Sequence, residues 1–178
     1  MKIESLVREN ILKLKPYTSA RGDYLTGILL DANENSFGSV IDDFKEAELN
    51  RYPDPNQNKL KEELSYYLGI GKEKLFIGVG SDEIIDLLIR IFCEPKRDSV
   101  IILEPTYGMY KVACEVNDVK TIEVMLDESF QPVLENIYKS ITPETKLLFV
   151  CSPNNPTGNN IDHKVILDLA KNLNGIII

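Results

Sequence analysis

The chain has 178 residues, enough for one domain with a real core, and its 43% hydrophobic and 27% charged content excludes a disordered chain. A formal net charge of -8 leaves no basic footprint, which argues against extended binding to nucleic acid or to an anionic membrane, so any phosphate ligand must be held by local donors. No apolar run reaches the length of a membrane span and Met1-Lys2-Ile3-Glu4-Ser5 lacks the apolar core of a secretory signal, so a cytoplasmic address is expected.

In chain order, residues 1 to about 30 mix weak helical signals with Lys15-Pro16-Tyr17 and the turn-like Arg21-Gly22-Asp23, and read as an arm lying on a partner. Ile28-Leu29-Leu30 is a short strand candidate running into Asp31-Ala32-Asn33-Glu34-Asn35, whose polar side chains favour a loop. Arg51-Tyr52-Pro53-Asp54-Pro55 is a proline-stiffened connector. After it, Leu60, Leu64 and Leu68 at i, i+4 and i+8 predict an amphipathic helix closed by Gly69.

From Lys74 onward, strands are expected at 75–79, 100–103, 121–125 and 146–150, with another opening at 176–178. Helices are expected between them at 82–92, about 107–116, 133–141 and 162–173. This alternation predicts the α/β class, a largely parallel sheet with helices on both faces. Gly175-Ile176-Ile177-Ile178 opens a buried strand with nothing after it, so the chain is expected to be the amino-terminal part of a longer protein. The pattern changes after the helix closed by Gly69, and a boundary is expected near there.

Three turns would leave the carboxyl ends of these strands, where open α/β sheets hold their ligands. Gly78-Val79-Gly80-Ser81-Asp82-Glu83 fails as a dinucleotide fingerprint, because Glu83 stands where the third glycine belongs. It is either a phosphate cradle at a helix start or a plain helix cap, with Ser81 as N-cap and Asp82 and Glu83 complementing the dipole. Tyr107 in Pro105-Thr106-Tyr107-Gly108-Met109-Tyr110 either stacks on a flat ring or anchors its helix to the core. In Ser152-Pro153-Asn154-Asn155-Pro156-Thr157-Gly158, Asn155 either offers an amide to a phenolate-like oxygen or belongs to an ordinary loop. The lone His163 reads as a solvated side chain, and one histidine makes a poor metal site, so no metal is expected. Cys93, Cys114 and Cys151 form no C-x-x-C pair and lie in or beside apolar runs, so buried free thiols are expected.

Six segments stand in a shared order and spacing: Leu14-Lys15-Pro16-Tyr17, Asp31-Ala32-Asn33-Glu34-Asn35, Asn50-Arg51-Tyr52-Pro53-Asp54, Gly80-Ser81-Asp82-Glu83, Pro105-Thr106-Tyr107-Gly108-Met109-Tyr110 and Cys151-Ser152-Pro153-Asn154-Asn155-Pro156-Thr157-Gly158. Together they resemble the fold-type I, pyridoxal-phosphate-dependent aminotransferases of class II and, within them, the histidinol-phosphate aminotransferases, over essentially the whole chain. The resemblance implies pyridoxal 5'-phosphate as cofactor, with Gly80, Ser81 and Asp82 at its phosphate, Tyr107 on its ring and Asn155 at its phenolic oxygen. It also implies that Tyr52 reaches the phosphate bound in the neighbouring subunit of a homodimer, that Tyr17 and Asn33 lie near the substrate, and that the chain divides into 1–50, an arm and the first segment of a small domain, and 51–178, the amino-terminal portion of the large cofactor-binding domain.

The implied reaction moves an amino group between histidinol phosphate and 2-oxoglutarate, yielding glutamate, as in histidine biosynthesis. It needs a Schiff-base lysine, a carboxylate facing the ring nitrogen and an arginine for the substrate carboxylate, all of which the resemblance places after Ile178. Lys111, Lys164 and Lys171 fall on helical faces expected to be solvated and offer no substitute. No catalytic residue is therefore expected in the chain, which alone should not transaminate. Two rivals share the residues: a threonine-phosphate decarboxylase or carbon–sulfur lyase of the same fold, and a non-catalytic module.

Overall fold

The computed structural model describes residues 2–17, 27–41 and 48–178. In chain order the helices are α1 (Glu9–Leu12), α2 (Asn58–Leu68), α3 (Ser81–Phe92), α4 (Met109–Val116), α5 (Leu134–Ser140) and α6 (His163–Asn172). The strands are β1 (Ser99–Glu104), β2 (Lys120–Met125), β3 (Thr145–Phe149) and β4 (Ile176–Ile177). Contacts divide the chain into two units, Met1–Leu14 with Gly78–Ile178, and Lys15–Ile77. The expected boundary at residue 50 falls inside the second of these.

The first unit is built on a sheet of order β2-β1-β3-β4, parallel throughout. β1 lies between β2 and β3, and its run Val100-Ile101-Ile102 is fully buried, as a parallel strand covered on both faces requires. Side chains alternate along a strand, so this run feeds two cores. Val100 and Ile102 join Leu147 and Phe149 of β3 under Ile85, Ile89 and Phe92 of α3 and Ala113 and Cys114 of α4. Ile101 and Leu103 join Val124 and Leu148 under Ile137 of α5 and Leu169 of α6. The expected helices on both faces are thus observed.

The amino-terminal segment belongs to this unit. Leu6 enters the α3 core, while Arg8 donates its backbone N–H to Ile91 O at 3.0 Å and its Nη1 to Arg90 O at 2.9 Å. These bonds satisfy carbonyls that the last turn of α3 leaves without helical partners. At the other end of the chain, Asp162 caps α6, its carboxylate accepting the Lys164 N–H at 2.9 Å. Asp162→Ala should therefore cost about 1 kcal/mol in chemical denaturation, and Asp162→Asn much less.

Two expected strands are not formed. Leu75–Val79 follows a 3-10 turn at Lys72–Lys74 and joins no ladder among the described residues, and neither does Ile28-Leu29-Leu30. An apolar run becomes a strand only where a neighbouring backbone accepts its hydrogen bonds. α2 does end as expected, at Gly69 with φ 66° and its N–H bonded to Ser65 O at 3.0 Å. Its Leu60 and Leu68 remain about half exposed. The Arg21-Gly22-Asp23 turn lies outside the described residues.

Cys93 and Cys114 are buried and Cys151 is partly covered, all three as free thiols. Burial raises the Cys93 thiol from 9.0 to about 12 and Cys114 to about 11. A thiol-labelling reagent at pH 8 should modify Cys151 in the native protein and the other two only after unfolding. Because the native state keeps protons that the unfolded chain loses, these two thiols stabilise the fold fully below pH 9. That contribution falls as pH rises toward 11 and 12. Among the described residues no helix is long and apolar enough to cross a membrane.

Candidate functional site

β1 and β3 are parallel neighbours, so the turns at their carboxyl ends leave the same edge of the sheet. The turn after β1 holds Pro105, Thr106 and Tyr107, and the loop after β3 holds Asn154 and Asn155. Hydrogen bonds tie these segments to each other and to the start of α3. Thr106 Oγ1 donates to Asn154 Oδ1 at 3.2 Å, Asn154 Nδ2 donates to Pro105 O at 2.9 Å, and the Tyr107 hydroxyl donates to Asp82 Oδ1 at 3.0 Å. Gly80, Ser81, Asp82, Tyr107 and Asn155, scattered over some seventy-five positions of sequence, thus belong to one linked group of turns.

The start of α3 differs in detail from the sequence reading. Gly80, not Ser81, is the N-cap, and no side chain caps the helix. The reason is the backbone: Gly80 has φ 82° and ψ 171°, a combination reserved to glycine, and Ser81 is already the first helical residue. The acids in the first turn are both engaged. Asp82 accepts from Tyr107, and Glu83 folds back to accept the Val79 N–H. A Cβ on Gly80 would meet nothing within 4 Å, so open space lies beside the positive end of the helix.

Tyr107 meets its anchoring reading, packed against the aromatic residues of its own helix and of β3. Its ring meets Tyr110 edge-on, with centroids 5.7 Å apart, and Tyr110 stacks on Phe149 at 4.5 Å with planes 12° apart. A column of three aromatic rings therefore rises from β3 to the sheet edge. The Asp82 carboxylate and, less strongly, desolvation raise the Tyr107 hydroxyl above its ordinary pKa, so it remains a donor at neutral pH. Burial and the neighbouring Cys151 raise Tyr110 well above the usual phenol range.

Asn155 is exposed, and its side chain makes no hydrogen bond among the described residues. Its neighbour Asn154 is buried. The doubled asparagine carries no sequence signal for which side chain points inward, so Asn154 was missed, and nothing local marks Thr106 as its partner 48 positions away. His163 is exposed at the start of α6. Lys111 pairs with Glu123 at 2.6 Å, while Lys164 and Lys171 are exposed.

Within the second unit, Glu34 ties the Asn33 loop to the connector that bears Tyr52. Its side chain is 4% exposed, pairs with Arg51 Nη1 at 2.7 Å and accepts the Tyr52 N–H at 2.7 Å. The Tyr52 residue itself is 61% exposed, and Tyr17 is 92% exposed.

The first unit's donors and surfaces fit an anionic, flat, oxygen-bearing ligand. They comprise backbone N–H groups at a helix start without a side-chain cap, an aromatic ring held by its hydroxyl, and an unengaged amide. A phosphorylated hydroxypyridine has those three features.

Residues 26–178 match the family described as aminotransferase class I and II. The chain is 45% identical to the histidinol-phosphate aminotransferase of Christiangramia forsetii, over 99% of this chain and 49% of that protein. It is 46% identical to the histidinol-phosphate aminotransferase of Flavobacterium psychrophilum, over 99% and 50%. Among solved structures, histidinol-phosphate aminotransferase from Clostridium acetobutylicum aligns with TM-score 0.61 and 27% identity, covering 74% of this chain and 39% of that one. A tetra mutant of Thermus thermophilus aspartate aminotransferase aligns with TM-score 0.60 and 29% identity, covering 67% and 36%. The chain spans about half the length of the relatives it matches. With a parallel sheet whose edge turns interlock as described, and a family match over residues 26–178, this chain belongs to the class I and II aminotransferases.

Proposed function

We propose that the protein to which this chain belongs transfers an amino group between histidinol phosphate and 2-oxoglutarate, in histidine biosynthesis, with pyridoxal 5'-phosphate as cofactor. The observation that carries the reading is the hydrogen-bonded union of the α3 start, the Tyr107 turn and the Asn155 loop. The relatives' shared name supports the choice of substrate. When bound, the cofactor supplies an electron sink that lets a proton leave the carbon bearing the amino group.

The chain's own residues bind and orient. In this reading the N–H groups of Ser81 and Asp82 hold the phosphate over the α3 dipole, with Gly80 giving the backbone room to approach. Tyr107 covers one face of the ring, and the Asn155 amide donates to the phenolic oxygen. Tyr52 reaches the phosphate held by a second copy, which makes a homodimer part of the proposal, and Tyr17 and Asn33 serve the substrate. The lysine, the ring-nitrogen carboxylate and the substrate-binding arginine then lie outside residues 1–178. Residues 1–50 act as arm and small-domain segment, residues 51–178 contribute the cofactor-binding domain, and the setting is cytoplasmic.

Titrating the intact protein with pyridoxal phosphate tests this. Asn155→Ala should weaken binding about tenfold or more, the loss of one hydrogen bond to a charged oxygen, and should shift the pH dependence of the visible absorbance. Failure of the intact wild type to bind the cofactor, or release of carbon dioxide or thiol in place of amino transfer, would overturn the reading.

A further inference from the structure

Asn154 stands outside the proposed contacts yet lies between them. It is 4% exposed, and all of its polar groups are engaged. Its backbone N–H donates to Asn159 O at 2.8 Å, and its carbonyl accepts the Gly158 N–H at 2.7 Å. The side-chain amide donates to Pro105 O at 2.9 Å and to Thr157 Oγ1 at 2.7 Å, while its oxygen accepts from Thr106 Oγ1 at 3.2 Å. The Thr157 hydroxyl passes the chain on to Asn159 Oδ1, and Asn159 Nδ2 donates to Phe130 O at 2.9 Å.

We infer that Asn154 is a positioning residue that sets the separation of Tyr107 from Asn155, an inference that rests on the cofactor reading above. Tyr107 directly follows Thr106, and Asn155 directly follows Asn154, so one buried amide joins the residue assigned to the ring face to the residue assigned to the ring oxygen. Two separate turns would not hold such a pair to the sub-ångström tolerance a binding constellation needs. A buried side chain with every donor and acceptor satisfied does, because any shift of either turn leaves a polar group unpaired. Asparagine is the side chain that meets the requirement, with two donors for Pro105 O and Thr157 Oγ1 and an acceptor for Thr106. An aspartate of the same shape would set a carboxylate oxygen against the Pro105 carbonyl.

The test uses the intact protein and four variants, Asn154→Asp, Thr157→Val, Thr157→Ser and Asn155→Ala. It measures the dissociation constant for pyridoxal phosphate, the pH midpoint of the bound cofactor's visible absorbance, and the unfolding temperature without cofactor. Asn154→Asp should weaken binding about tenfold and move the pH midpoint in the same direction as Asn155→Ala, although Asn154 touches no cofactor atom in this reading. Thr157→Val should give a smaller change of the same sign, and Thr157→Ser, which keeps the hydroxyl, should match the wild type. Folded Asn154→Asp protein with wild-type binding and midpoint, beside a weakened Asn155→Ala, overturns the positioning role alone. Unchanged binding in Asn155→Ala removes the cofactor reading and this inference with it. Should Asn154→Asp not fold, the threonine pair decides, and equal constants for Thr157→Val and Thr157→Ser overturn the inference.

Discussion

Phe149→Ala should lower the unfolding free energy by about 3–5 kcal/mol, measured by denaturant titration, the loss usual for truncating a buried aromatic. Phe149 is 1% exposed at the carboxyl end of β3, where it packs among Ile89, Val100 and Leu147 and carries the stacked ring of Tyr110. The substitution removes transfer energy and leaves a cavity that the α3 and α4 core can only partly fill. It also takes away the base of the aromatic column on which Tyr107 rests, so cofactor binding should weaken along with stability. Phe149→Leu keeps much of the volume and should cost under about half as much. A loss below about 1 kcal/mol for the alanine variant would show that the column is not a packed part of the core.

Gly80→Ala should cost about 1–3 kcal/mol for a different reason. No atom lies within 4 Å of the Cβ it would add, so the penalty is not a clash. It comes from the backbone, because φ 82° with ψ 171° is open to glycine and strained for alanine. The chain can relieve that strain only by turning the peptide before Ser81, which redirects the first N–H groups of α3. The variant should therefore lose affinity for pyridoxal phosphate, or for inorganic phosphate as a probe, by about tenfold or more. Unchanged stability together with unchanged affinity would mean that the helix start tolerates another backbone and that Gly80 plays no part in holding an anion.

Both predictions concern segments that local sequence describes incompletely. The alternating elements from Ser81 onward were legible because each carries its own pattern: a short unbroken apolar run for strands covered on both faces, such as Val100-Ile101-Ile102-Leu103, and a period of three to four for helices such as α3 with Ile85, Ile89 and Phe92 on one face. The turns after β1 and β3 were legible as turns, from Pro105 and from Pro153, Pro156 and Gly158. Leu75–Val79 was misread because its β-type composition reports suitability for a sheet and not the presence of a neighbour. The Ser81 cap was misread because a cap is decided by dihedral angles, and the glycine beside it absorbs the unusual pair.

The sequence by itself determined the class of fold, the order of elements and the residue types at each turn, since these depend on periodicity and short-range chemistry. Only the tertiary structure decided that the Tyr107 hydroxyl belongs to Asp82, that Asn154 faces inward while Asn155 faces out, and that Tyr107 stands on Tyr110 and Phe149. The Tyr107–Asp82 and Thr106–Asn154 bonds join residues 25 and 48 positions apart, and separation of that length carries no local signature. They are settled when packing of the sheet brings its edge turns together and each buried polar group must find a partner.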